Sequence, residues 1–219
     1  MQTNAAIPMR YSLVILLAYG IGLTMAAAVT VMVGHFSAGD LRAWQSKSFS
    51  GKTRYTLVEQ HGRHVLQADS QGTASGLYRE MTVDLNRTPY LNWSWRVADI
   101  LERVNERSKQ GDDFPARVYV VISGGMFFWR TRSVIYVWSN NQPPGTIWKN
   151  PYTDNARVIA LRSGKQAGWF TEKRNVRADF QRLFGDTIEQ IDAVAIMTDT
   201  DNSGQAATAW YGDIYFSAQ

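Results

Sequence analysis

GDDFPARVYVVISGGMFFWRTRSVIYVWSNNQPPGTIW, residues 111–148, decides how the rest of the chain reads. It holds two consecutive strand signatures, Arg117 to Ser123 and Ser133 to Ser139. Both are rich in β-branched and aromatic residues, which suit a pleated, half-buried surface. Asp112-Asp113, Gly124-Gly125 and Pro143-Pro144-Gly145 bound them with turn chemistry. The pair reads as a buried hairpin. It is entered from two carboxylates and left through the amides Asn140, Asn141 and Gln142 toward an aromatic rim at Trp148 and Tyr152.

Upstream, Leu91, Trp93, Trp95 and Val97 alternate with Asn92, Ser94 and Arg96. Period two predicts the apolar set in the core and Asn92 and Arg96 facing outward. Arg54 to Gln60 and Arg63 to Asp69 flank His61-Gly62, a short hairpin turn, and Gly76 to Leu85 reads as a further strand. Asp99 to Gln110 is a charged insertion. Asp99 with Glu102 has capping-box-like spacing, so either a short helix closed by Gly111 or a solvated loop is expected there.

Downstream, strands are expected at Arg157 to Arg162, Gly168 to Val176, Ile191 to Thr198 and Thr208 to Ser217. A helical turn from Ala178 to Phe184 should end on Gly185. About ten short strands without a βαβ rhythm indicate an all-β antiparallel sandwich or jelly roll.

At 219 residues the chain fits one such domain, expected over residues 40–219, with a short appendage over residues 1–39. Eight Trp and ten Tyr are ample core material. The net charge of +4 is scattered, with only Lys173 and Arg174 adjacent, which argues against a nucleic-acid partner. Cysteine is absent, so neither disulfides nor thiolate chemistry contribute. Between Leu13 and Val33 no charge occurs, behind Arg10. Such a run is long enough to span a bilayer. It reads as an uncleaved signal anchor or as a signal peptide cleaved near Ala26-Ala27-Ala28, followed by a polar linker from Gly34 to Ser50. The domain is therefore expected at the periplasmic side of the inner membrane, or free in the periplasm or secreted after cleavage.

Catalytic signatures are missing. His35, His61 and His64 are the only histidines, and no G-x-S-x-G elbow occurs, so a Ser-His-Asp arrangement is hard to build. Asp113 with a second acid (Glu80, Asp84, Asp199 or Asp213) would make a glycosidase pair only at about 5–9 Å separation. The alternative is that Asp112 or Asp113 caps the turn or pairs with Arg117. Asp199-Thr-Asp201-Asn-Ser203-Gly204 imitates the opening of an EF-hand loop, but position 12 is Trp210 rather than a bidentate Glu. A structural calcium held by Asp199, Asp201 and Asp213 and a plain Asx-rich turn remain as readings. No cofactor is required.

Three sets recur at period two: Tyr119 with Val121, Tyr136 with Trp138 and Asn140, and Asn92 with Arg96. On one open face, Tyr119, Tyr136 and Trp138 would stack on a sugar ring while Arg96, Asp113, Arg117 and Asn140 fix its hydroxyls. On opposite faces, the rings would simply fill a wide core. The first arrangement describes a non-catalytic envelope sandwich that binds a carbohydrate or another envelope component. A glycan hydrolase with paired carboxylates and a structural interaction module are the alternatives.

Several blocks carry a resemblance. They are Phe49-x-Gly51-x-Thr53-x-Tyr55, Trp93-Ser94-Trp95-Arg96-Val97, Asp112-Asp113-Phe114-x-Ala116-Arg117-Val118-Tyr119, Tyr136-x-Trp138 with Pro143-Pro144-Gly145, and Val194 to Asn202. Together they resemble the bacterial, export-associated domain of unknown function 3047 family, over about Asp40 to Gln219. The resemblance implies a galactose-binding-like β-sandwich with no established activity or catalytic residues, and Asp99 to Gln110 as its variable part.

Overall fold

Hydrophobic alternation in the chain is realised as two stacked sheets in the computed structural model, which describes residues 29–126 and 130–219. The first sheet contains β1 (Thr30–Gly34), β3 (Arg54–Gln60), β4 (Arg63–Gln71), β6 (Tyr90–Val97), β11 (Phe170–Asn175), β13 (Ala206–Tyr211) and β14 (Ile214–Ser217). Its order is β1-β14-β6-β13-β4-β3, with β11 on the other side of β6. The second contains β2 (Gln45–Ser50), β5 (Ala74–Asp84), β7 (Ala116–Ile122), β8 (Arg132–Ser139), β9 (Ile147–Lys149), β10 (Ala156–Ser163) and β12 (Gln190–Asp199). These run in the order β2-β5-β12-β7-β8-β10-β9. Every pairing is antiparallel except β10 with β8, which is parallel.

The sandwich core is aromatic. Trp93 meets Trp95 edge-on at 5.4 Å and Tyr136 at 5.3 Å, and Trp95 meets Trp138 at 6.0 Å. All four side chains are fully buried, together with Tyr211, Phe36, Phe180 and Phe216. Such offset and edge-to-face contacts add to the burial of large apolar area. The single α-helix among the described residues, α1 (Val176–Phe184), is capped by the Asn175 side chain accepting from the Ala178 N–H, and it ends on left-handed Gly185. The β3–β4 turn has positive φ at both His61 (51°) and Gly62 (76°), as a two-residue hairpin turn with the right-handed strand twist demands.

Several expectations are corrected. The polar linker from Gly34 to Ser50 is instead a 3₁₀ turn, Phe36–Ala38, and strand β2. The last residues of the apolar run, Thr30 to Val33, lie in β1 paired with β14, and Val33 is buried. Strand β1 thus adds Thr30–Gly34, upstream of Asp40, to the first sheet. Leu13 to Ala28 of that run lies outside the described residues, and among the described ones no helix is long and apolar enough to cross a membrane. Asp99 to Gln110 forms no α-helix. Leu101 and Val104 pack with Ala207, and Glu106 is fully buried, because its carboxylate receives the Ser139 hydroxyl at 2.5 Å and the Asn140 N–H. Asn92, expected to face outward, is buried on that face, donating to Ser217 Oγ at 2.9 Å and Tyr90 O at 3.0 Å.

Candidate functional site

The site begins with the register of β7 against its neighbours. Ala116, Val118 and Val120 enter the core, so Arg117, Tyr119 and Val121 point out of the second sheet. Pairing extends this outer face into rows. One row is Gln45, Tyr78, Ala195, Tyr119 and Ile135. A second is Lys47, Gly76, Met197, Arg117 and Val137. The middle of this surface carries small side chains at Gly76, Ala193 and Ala195, so it is low between the rings of Tyr78 and Tyr119. Gly76 has a steric reason, since a Cβ there would sit 2.9 Å from the Ile196 carbonyl oxygen.

The result is a cavity of about 980 Å³, with Lys47, Phe49, Tyr78, Glu80, Tyr119 and Asp192 in its walls. A further cavity of about 530 Å³ shares Phe49, Tyr119 and Met197 with it and continues to Asp112, Asn150, Tyr152 and Asp201. The two form one groove across the outer face. Phe49 is 69% exposed and Tyr152 is 56% exposed at its rim. Beyond Tyr119, Phe114 and Trp148 lie over Ile135 and Val137 in a small outer cluster that covers this part of β8.

Carboxylates concentrate at the second end of the groove. Arg117 is buried, with Nη1 3.3 Å from Asp112 Oδ2, Nε 2.9 Å from Asp199 Oδ1, and Nη2 against Asp199 Oδ2. Burial pushes the Asp112 carboxyl above its ordinary range, with Arg117 opposing that shift. Burial and the adjacent Asp113 charge push Asp201 up as well. Asp113 is fully buried, and its oxygens accept the Asn202 N–H at 3.3 Å, Asn202 Nδ2 at 3.1 Å and the Ser203 N–H at 2.6 Å. It ties the 200–204 turn to the start of β7 and exposes no surface to the groove.

Of the residues expected at one open face, the fold brings Arg117 and Tyr119 to the groove, with Asp113 behind its end wall. Tyr136 and Trp138 are in the core instead, because Tyr136 stands opposite Val118 and Trp138 opposite Ala116. Arg96 lies on the outer face of the other sheet, its guanidinium 3.9 Å above the Trp210 ring. Asn140 is buried, accepting the Leu101 N–H at 2.7 Å and donating to the Asp113 carbonyl at 3.0 Å. For a metal, Asp113, Asp199 and Asp201 each offer an oxygen within 4.8 Å of the others. Asp213 is not among them and instead accepts the Ser37 N–H and hydroxyl at 2.8 and 2.5 Å. A cation at the three carboxylates would have to share Asp199 with Arg117 and Asp113 with the Asn202 and Ser203 donors.

Sequence reasoning missed the groove roles of Phe49, Tyr78, Asp192 and the small floor, and named Glu80 only as a partner acid for Asp113. A signal was present in β12, where Ala193 and Ala195 alternate with the core residues Val194 and Ile196.

Residues 42–215 match the family described as protein of unknown function (DUF3047). The chain belongs to the DUF3047 family. No curated protein matches it in sequence. Among solved structures, this DUF3047 chain is similar to the family 30 carbohydrate-binding module of a Clostridium thermocellum cellulosomal cellulase, at 14% identity and TM-score 0.48 over 87% of this chain and 98% of that one. It is similar also to the Emp47p carbohydrate recognition domain, at 12% identity and TM-score 0.44 over 87% and 95%. A third is TmCBM61 in complex with β-1,4-galactotriose, at 10% identity and TM-score 0.41 over 84% and 94%. None of these likenesses assigns a groove residue.

Proposed function

We propose that this chain is a non-catalytic envelope protein that binds a glycan along the groove of its second sheet. The observation that carries this reading is the groove itself. A floor of Gly76, Ala193, Ala195 and Met197 is flanked by Tyr78, Phe49 and Tyr119, with Lys47, Glu80 and Asp192 beside them. Apolar sugar faces lie on such rings, and hydroxyl groups find both donors and acceptors at the edge. Cavities of this size hold small ligands and short chain segments, and the open, elongated form suits a chain. The buried, fully engaged Asp113 favours binding over acid-base hydrolysis.

The uncharged residues before β1, Leu13 to Val29 behind Arg10, support an N-terminal anchor with the domain on the periplasmic side. Fractionation with protease protection tests that part. The full chain should sediment with membranes, and a soluble cytoplasmic chain retaining Met1 would contradict it. A glycan array probed with the full-length protein tests the binding reading. Binding that is lost in Tyr119→Ala supports it, and an array on which nothing binds removes it.

A further inference from the structure

On the opposite side of the molecule, the first sheet carries a second cavity, about 500 Å³ in volume. Strand register explains its polar floor. On β6 the residues that alternate with the core tryptophans, Asn92 and Ser94, lie on the outer side, and pairing sets Thr171 beside Ser94 and Tyr215 beside Asn92 on the same face. Gly212 keeps that floor open, since a Cβ there would lie 2.2 Å from Ser94 Oγ. Trp169 and Tyr215, both half-buried, bring ring surface to the walls.

Two details narrow what the cavity takes. The side-chain oxygen of Gln60, one of its lining residues, is buried and has no hydrogen-bond donor. A buried acceptor left in that state costs free energy that a donor in the cavity would recover. The lining holds one arginine and one aspartate, Arg63 and Asp213, beside His61 and His64, and the Asp213 oxygens already hold Ser37. A ligand here needs no net charge. It needs groups that donate to Gln60, exchange hydrogen bonds with the Ser94 and Thr171 hydroxyls, and present an apolar face to Trp169. Hydroxyl groups on a pyranose ring do all three.

We infer that the outer face of the first sheet holds a second, independent site for a neutral hexose unit, either a free monosaccharide or the end of a chain.

A spectroscopic test separates this site from the groove, which has no Trp in its lining. Full-length protein labelled with 5-fluorotryptophan, in a sugar-free zwitterionic detergent, is titrated with glucose, galactose, mannose and N-acetylglucosamine, and with their β-linked trisaccharides. Trp169→Phe assigns the resonance. The Trp169 signal should shift with at least one sugar, weaken about tenfold in affinity in Gln60→Ala, and persist in Tyr119→Ala. A shift with trisaccharides only would identify a chain end as the ligand, and a shift with both would identify a single unit. A Trp169 signal that is unmoved up to tens of millimolar by the whole panel overturns the inference. So does a shift abolished by Tyr119→Ala, which would report the groove. An unchanged affinity in Gln60→Ala overturns the role given to Gln60.

Discussion

Tyr119 and Tyr136 lie on opposite faces of one sheet, because Tyr136 stands opposite Val118 across the β7–β8 pair while Tyr119 stands opposite Ile135. One ring serves the groove and the other the core. Substituting them should therefore have different consequences. Tyr136→Ala or Trp138→Ala should cost about 3–5 kcal/mol of stability through cavity formation. Tyr119→Ala, at a partly buried side chain on the outer face, should cost less. Urea unfolding of the three variants checks this, and equal losses would contradict the assigned faces.

Arg117 is buried between Asp112 and Asp199, so removing it strands two carboxylates in a low-dielectric site. Arg117→Ala is expected to destabilise by about 3–5 kcal/mol, the scale for breaking a buried ion pair from one side. Denaturant midpoints measured at neutral pH and at pH 4 read the effect. The loss should be smaller at the acid end, where the stranded carboxylates are protonated. A loss under 1 kcal/mol at neutral pH would show that water reaches them.

Glu106 gives a pH dependence. Burial raises its pKa above the ordinary 4.5, with the Ser139 and Asn140 donors working against the shift. The folded state then keeps a proton that the unfolded chain has released. The corresponding stability is complete below pH 4.5 and declines as pH rises through the folded-state value. Glu106→Gln should flatten that decline without removing it, since Asp112 and Asp201 are shifted the same way. Unfolding free energies at pH 4, 5, 6 and 7 for both proteins provide the comparison. Parallel curves would show that Glu106 does not titrate in this window.

The sandwich was legible because period-two alternation in β6, β7 and β8 reports burial directly, and the αL glycine ending α1 is a local signal. What alternation leaves open is the phase between strands. Tyr119 and Tyr136 each sit in a period-two set, yet only the pairing register shows that the sets face apart. Glu106 was unreadable for a different reason. Its burial depends on β8 ending nearby, a long-range contact that charge patterning in Asp99 to Gln110 cannot display. Asp213 and Asp201 are close in sequence, but β13 carries the chain to the other sheet between them.

Calcium should have little effect on the melting temperature relative to EDTA, because Arg117 already neutralises Asp199 and the 202–203 backbone already caps Asp113. A clear rise in calcium, lost in Asp201→Asn, would mean that the three carboxylates rearrange around an ion.

Calorimetric titration of an array-selected glycan into the full-length protein, its Tyr119→Ala variant and its Arg96→Ala variant tests the groove most directly. Tyr119 lines the groove, whereas Arg96 lies over Trp210 on the far sheet. Tyr119→Ala should weaken binding by about 1–3 kcal/mol, roughly 5- to 150-fold in Kd, with the fold intact, and Arg96→Ala should leave it unchanged. Binding that survives Tyr119→Ala at full strength, or that is lost in Arg96→Ala, would contradict a glycan site on the second sheet.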